Sequence, residues 1–128
     1  MSNLNEEDIA EYMEEEIRYS TDLTIGELLK EWEDLIEELT EKEIELIHLK
    51  EYYESESHRI ETTVDFKELY GKNNADIRKH HIKTELADVV DKMTLLKLSI
   101  DWINRRISLV RELVQVKRTI MENKKVRI

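Results

Sequence analysis

From Ile82 to Met121 a seam position recurs at alternating steps of four and three: Ile82, Leu86, Val89, Met93, Leu96, Ile100, Ile103, Ile107, Val110, Val114, Lys117 and Met121. Lys117 is the only break in the apolar row. A seven-residue repeat sustained over that length is what helices need to keep one seam in contact as they wind about each other, so this chain must pack helix on helix. The composition agrees, because 128 residues with 39% charged and 40% apolar side chains and no proline are typical of long helices and coiled coils. A chain of this length is expected to make one domain.

The absence of cysteine excludes disulfides and thiolate metal sites. The start, MSNLNEEDIAEYMEEE, lacks a basic region followed by an apolar run, and no stretch approaches the roughly 20 apolar residues of a membrane span. A soluble, cytoplasmic protein is the expectation.

A net charge of −10 hides a division, with residues 1–64 carrying 21 Asp and Glu against 5 Lys and Arg, and residues 65–128 carrying 9 against 15. The simplest meaning is mutual neutralisation within the fold or between subunits. A nucleic-acid mimic on the acidic half and phosphate binding on the basic half are the alternatives.

Four segments follow. Residues 5–19 make a short acidic amphipathic helix with Ile9, Tyr12, Met13 and Ile17 on one side. Thr24, with Glu27 three residues on, is a capping box that opens a second helix over residues 24–60, and Gly26 weakens its first turn slightly. This helix has its own seam of Leu28, Trp32, Leu35, Leu39, Lys42, Leu46, Leu49, Tyr53, Glu56 and Ile60, and its last turns, ESESHR, are expected to fray. Residues 61–74 read as a loop: Thr62, Thr63 and Val64 favour extended backbone, Asp65 and Glu68 cap one helical turn over 66–70, and Gly71 stops it. Asn73 or Asn74 then caps a long helix over residues 75–123, on the order of 70 Å at about 1.5 Å per residue.

The two long seams can be folded against each other. If facing residue numbers sum to about 135, Tyr53 meets Ile82, Leu46 meets Val89, Trp32 meets Ile103 and Leu28 meets Ile107, each layer joining an a to a d position, as antiparallel coiled coils require. The same register brings Glu31 near Arg106 and Glu45 near Lys92, and it leaves Leu113, Val114, Val116, Ile120 and Met121 projecting beyond the second helix. The expected fold is therefore all-α: a long antiparallel, coiled-coil-like hairpin plus a short N-terminal helix.

The long helix carries a second apolar row, Leu95, Trp102, Leu109, Leu113, Val116 and Ile120, which makes its apolar arc too wide for one partner. Assembly into a homo-oligomeric bundle through this row is the expectation, with the row as the interface for copies or for another protein. A basic row, Lys83, Lys97, Arg111, Arg118 and Lys125, falls on one heptad position, and Arg105 and Arg106 thicken the charge. Such a row can track a phosphate backbone, although a solvated or subunit-facing stripe is its commoner meaning.

The stretch DFKELYGKNNADIRKHHIKTELADVVDKMTLLKLSIDWINRRISLVREL, residues 65–113, resembles small uncharacterised helical proteins encoded by bacteriophages and prophages of Gram-positive bacteria. The similar elements are the YGKNN turn with Arg78 just inside the helix, and SIDWINRRIS. The resemblance implies a phage accessory role in a host-cell cytoplasm, carries no activity, and singles out Arg78, His80, His81, Trp102, Arg105 and Arg106.

Motifs that could carry chemistry are few. Glu37, Glu38 and Glu41 in EELTE, with Glu85 and Asp88 in ELAD, resemble the carboxylates with which all-helical MazG-type nucleotide pyrophosphohydrolases hold magnesium. The departure is the spacing, since 43 residues separate the two motifs. Glu45 and His48 make one ExxH where ferritin-like sites need two, and His81 with Glu85 shares a helix face. No Gly-rich phosphate loop or nucleophile elbow occurs. No catalytic, cofactor or metal residue is assigned, and the reading is a non-enzymatic interaction protein whose candidate partner or nucleic-acid contacts are Arg78, Lys97, Arg105, Arg106, Arg111 and Arg118. A nucleic-acid-associated or DNA-mimic factor in phage replication, recombination or defence evasion is the alternative, ahead of a nucleotide pyrophosphohydrolase.

Overall fold

A computed structural model describes the backbone of residues 22–126 and the side chains of residues 22–123. Four helices follow in order: α1 (Ile25–Thr63), α2 (Phe66–Tyr70), α3 (Ala75–Glu85) and α4 (Ala87–Val126). Among the described residues there is no strand, and α1 packs against α4 as a helical hairpin. The expected N-terminal helix over residues 5–19 lies outside the described residues.

The caps form where the sequence signals place them. Thr24 Oγ1 accepts from the Glu27 backbone N–H at 3.1 Å, and Glu27 Oε1 accepts in return from the Thr24 N–H at 3.2 Å. At α2, Asp65 Oδ1 accepts from the Glu68 N–H at 3.1 Å, and Gly71 closes the turn in the left-handed region at φ 73, donating to the Lys67 carbonyl. Asn74 Oδ1 accepts from the Ile77 N–H at 2.9 Å to open α3, while Asn73 accepts from Arg78 Nη1 at 2.7 Å. The caps at Thr24, Asp65 and Asn74 satisfy donors that the first turn of a helix leaves without an intrahelical partner, and Gly71 satisfies a carbonyl of the last turn of α2.

Two expectations are corrected. The ESESHR turns are helical and α1 continues past residue 60 to Thr63, with Ile60 only 3% exposed in a core and Arg59 Nε paired to Glu56 at 2.9 Å. Thr62 and Thr63 are accordingly helical, their hydroxyls donating back to the carbonyls of His58 and Arg59. The second correction concerns the long helix, which is interrupted at Leu86, where φ −105 and ψ 23 cap α3 before α4 begins. The backbone bonds from Leu86 N–H to the Ile82 carbonyl and from Val90 N–H to the Leu86 carbonyl persist across the interruption. No proline or glycine marks it. Ile82 and Leu86 are both buried against Ile60 and Phe66, so tertiary packing sets these dihedrals.

The chain divides into two compact units. The first joins residues up to Glu38 with those from Ile103 onward, and the second spans Leu39–Trp102. In the first unit Leu28, Leu35, Ile103, Val110 and Val114 are buried, all of them seam positions. The register read from sequence has Val114 projecting beyond the second helix, yet it is 3% exposed. Thr24, Ile25 and Gly26 line a groove with Lys117, Ile120 and Met121.

In the second unit the core is Ile60, Phe66, Ile82 and Leu86, with Tyr53, Val64, Ile77 and Val89 packed against it. Phe66 is the anchor of α2. Its ring meets the His81 ring edge-on at 5.4 Å, and Tyr70 meets the same ring edge-on at 5.7 Å, its hydroxyl 2.6 Å from His81 Nδ1. These contacts clamp a helix too short to stand alone onto α3.

Candidate interaction surface

The sequence places an interface on the second apolar row of the long helix. In the second unit its members Leu95 and Trp102 are 55% and 44% exposed, and Leu98, absent from the row read in sequence, is 60% exposed between them. Leu98 follows Leu95 by three and precedes Trp102 by four, so the three share one helical face, and that spacing was the available signal. In the first unit Leu109 and Leu113 are half-buried, whereas Val116 and Ile120 are 55% and 49% exposed.

Helix α1 exposes apolar residues as well. Leu29 and Ile36 in the first unit, and Ile44 and Ile47 in the second, stand on its surface. Leu29 and Ile36 each come directly after a buried seam leucine, Leu28 and Leu35, a doublet pattern that marks the flank of a seam.

The candidate basic contacts separate into two kinds. Lys97, Arg105, Arg111 and Arg118 are exposed. Arg106 is not a surface contact: it is 6% exposed, and its Nε and Nη2 donate to the two carboxylate oxygens of Glu31 at 2.6 and 2.9 Å. A guanidinium taken out of water needs such a two-pronged partner, and the hairpin register brings Glu31 to it. Arg78 is half-buried and is used inside its own turn by Asn73.

The acidic side of the first unit lies mainly on α1. There Asp34 bonds Lys30 at 3.1 Å, and this hydrogen bond, with the charges of Asp34 and Glu33, holds the Lys30 ammonium above the ordinary lysine range.

Among the described residues no three His, Asp or Glu side chains converge as a metal ion would require. Glu85 lies 3.9 Å from His81 Nε2, and His81 is otherwise engaged by Tyr70 and Phe66 in the clamp on α2. His80 is exposed beside it. Within the described residues no helix is long and apolar enough to cross a membrane.

What the arrangement offers is surface: two apolar flanks, an acidic edge and a basic edge on paired helices. Comparison with protein-family models, curated proteins and solved structures finds no match.

Proposed function

We propose that this chain is a non-catalytic helical interaction protein of the phage accessory type, which assembles with copies of itself and binds a host or phage protein in the host cytoplasm. The observation that carries the reading is the exposure of Val116 and Ile120 at 55% and 49% beside a seam in which Val110 and Val114 are buried. Large aliphatic side chains aligned on one flank of a packed hairpin are costly in water and favour a covering partner. Sedimentation velocity from about 1 to 50 μM tests it, a range in which interfaces of standard size are populated. A concentration-dependent rise in mass is the expected result, and a single chain throughout removes the self-association.

A second reading rests on the exposed Lys97, Arg105, Arg111 and Arg118, whose charges suit a phosphate backbone. Gel shifts with short duplex DNA at several salt concentrations test it. Binding that survives physiological salt, and that Arg111→Glu with Arg118→Glu weakens, would favour this reading. No shift at any salt concentration would remove it.

A further inference from the structure

The seam of the first unit separates two flanks of unlike chemistry. On α4, Arg106, Leu109, Leu113, Val116 and Ile120 step by three and four residues and so form one stripe. The Glu31–Arg106 pair fixes which edge of α1 shares that flank: the acidic row Glu27, Glu31, Asp34 and Glu38, with the same three-and-four spacing. On the opposite flank α1 contributes Leu29 and Ile36, 37% and 48% exposed, and α4 contributes the exposed Arg111 and Arg118. Glu33, four residues after Leu29 and three before Ile36, stands in that same stripe, and Glu37 lies on the outer side of α1. One flank is thus acidic on α1 and apolar on α4, and the other is apolar with a single carboxylate on α1 and basic on α4.

We propose that a second copy of this chain covers these surfaces, the acidic–apolar flank of one first unit seating on the apolar–basic flank of the next, with α4 of one copy over α1 of the other. The proposal rests on the self-association reading above and specifies its geometry. A half turn about the stacking direction sets the apolar strip of α4 on the apolar strip of α1, and it brings the acidic row of α1 over Arg111 and Arg118. A two-fold contact of the acidic–apolar flank with itself sets acid on acid or acid on an apolar strip, and both arrangements are unfavourable. Each copy keeps one flank unused after the first contact, so assembly proceeds past the dimer, and added salt weakens it.

Complementation between full-length variants tests this. Val116→Glu with Ile120→Glu blocks one flank, and Leu29→Glu with Ile36→Glu blocks the other. All four positions are half-exposed, so circular dichroism should show helicity equal to that of the parent. Each variant alone is expected to sediment as a single chain at concentrations where the parent is larger. An equimolar mixture is expected to form dimers and nothing larger, because one intact flank of each kind remains. A mixture of single chains, or assembly lost in only one of the variants, overturns the pairing while leaving self-association standing. A parent that is a single chain at every concentration overturns both.

A second measurement does not depend on the variants weakening anything. The chain has no cysteine, so Ile36→Cys and Val116→Cys each introduce a single thiol. On mild oxidation the mixture is expected to give the mixed disulfide in excess over either homodimer. Homodimers of Val116→Cys alone would overturn the proposal in favour of a two-fold contact. Loss of DNA binding in Arg111→Glu with Arg118→Glu, with the parent's mass retained, would overturn it in favour of a nucleic-acid contact.

Discussion

Single side chains in this protein have roles that their type alone does not announce. Arg106 and Glu31 form a two-bond pair with the arginine 6% exposed, so removing either partner strands a charge that is wholly or partly out of water. Arg106→Ala should lower unfolding free energy by about 1 to 3 kcal/mol in a urea titration. The double variant Glu31→Ala with Arg106→Ala should lose less than the two single losses added together, and strict additivity would deny the coupling. The two glycines should respond in opposite directions. Gly71 has φ 73, where a side chain is strained, so Gly71→Ala should lower stability by about 1 kcal/mol. Gly26 sits in the first turn of α1, where an added methyl group would meet only Thr24 Oγ1, at 3.9 Å. Gly26→Ala should therefore raise the melting midpoint, by about 0.5 to 1 kcal/mol of stability.

At the scale of elements, the link between α1 and α4 is where local signals and packing diverge most. Asp65, Gly71 and Asn74 were readable because a cap is chemistry within three or four residues of chain. The persistence of α1 to Thr63 and the interruption at Leu86 were not readable, since both follow from Ile60, Phe66, Ile82 and Leu86 meeting in one core across sequence separations that local propensity does not see. Phe66 is 1% exposed and holds the five-residue α2 in place, so Phe66→Ala should cost about 3 to 5 kcal/mol. Hydrogen exchange should speed up at the last turn of α1 and through α3 in that variant. Unchanged protection at Ile60 and Ile82 would show that the core does not depend on α2.

For the molecule as a whole, the division of charge between the two halves of the sequence has a local expression in the first unit, where Glu31 of the acidic half grips Arg106 of the basic half. The same unit keeps exposed arginines on α4, which is why assembly through its flanks should be salt-sensitive. Raising sodium chloride from about 0.05 to 0.5 M shortens the Debye length by roughly threefold and should lower the sedimenting mass of the parent protein. A mass unchanged by salt would make the contact purely apolar.

The sequence by itself determined the class of structure. Two matching heptad rows, a loop with its caps and a capping box at Thr24 are repeats and short-range bonds, and such features specify helices and their pairing without reference to the rest of the fold. It also marked the second apolar row on α4. Tertiary structure alone decided which of the arginines is available: Arg106 and Arg105 are neighbours in sequence, yet one is buried on Glu31 and the other is exposed. It likewise decided where the long helix is interrupted, and that Leu98, Leu29 and Ile36 stand exposed on their flanks. The physical reason is common to these cases. Burial is a property of what lies across the helix pair, and a periodic sequence states the spacing of a face without stating what covers it.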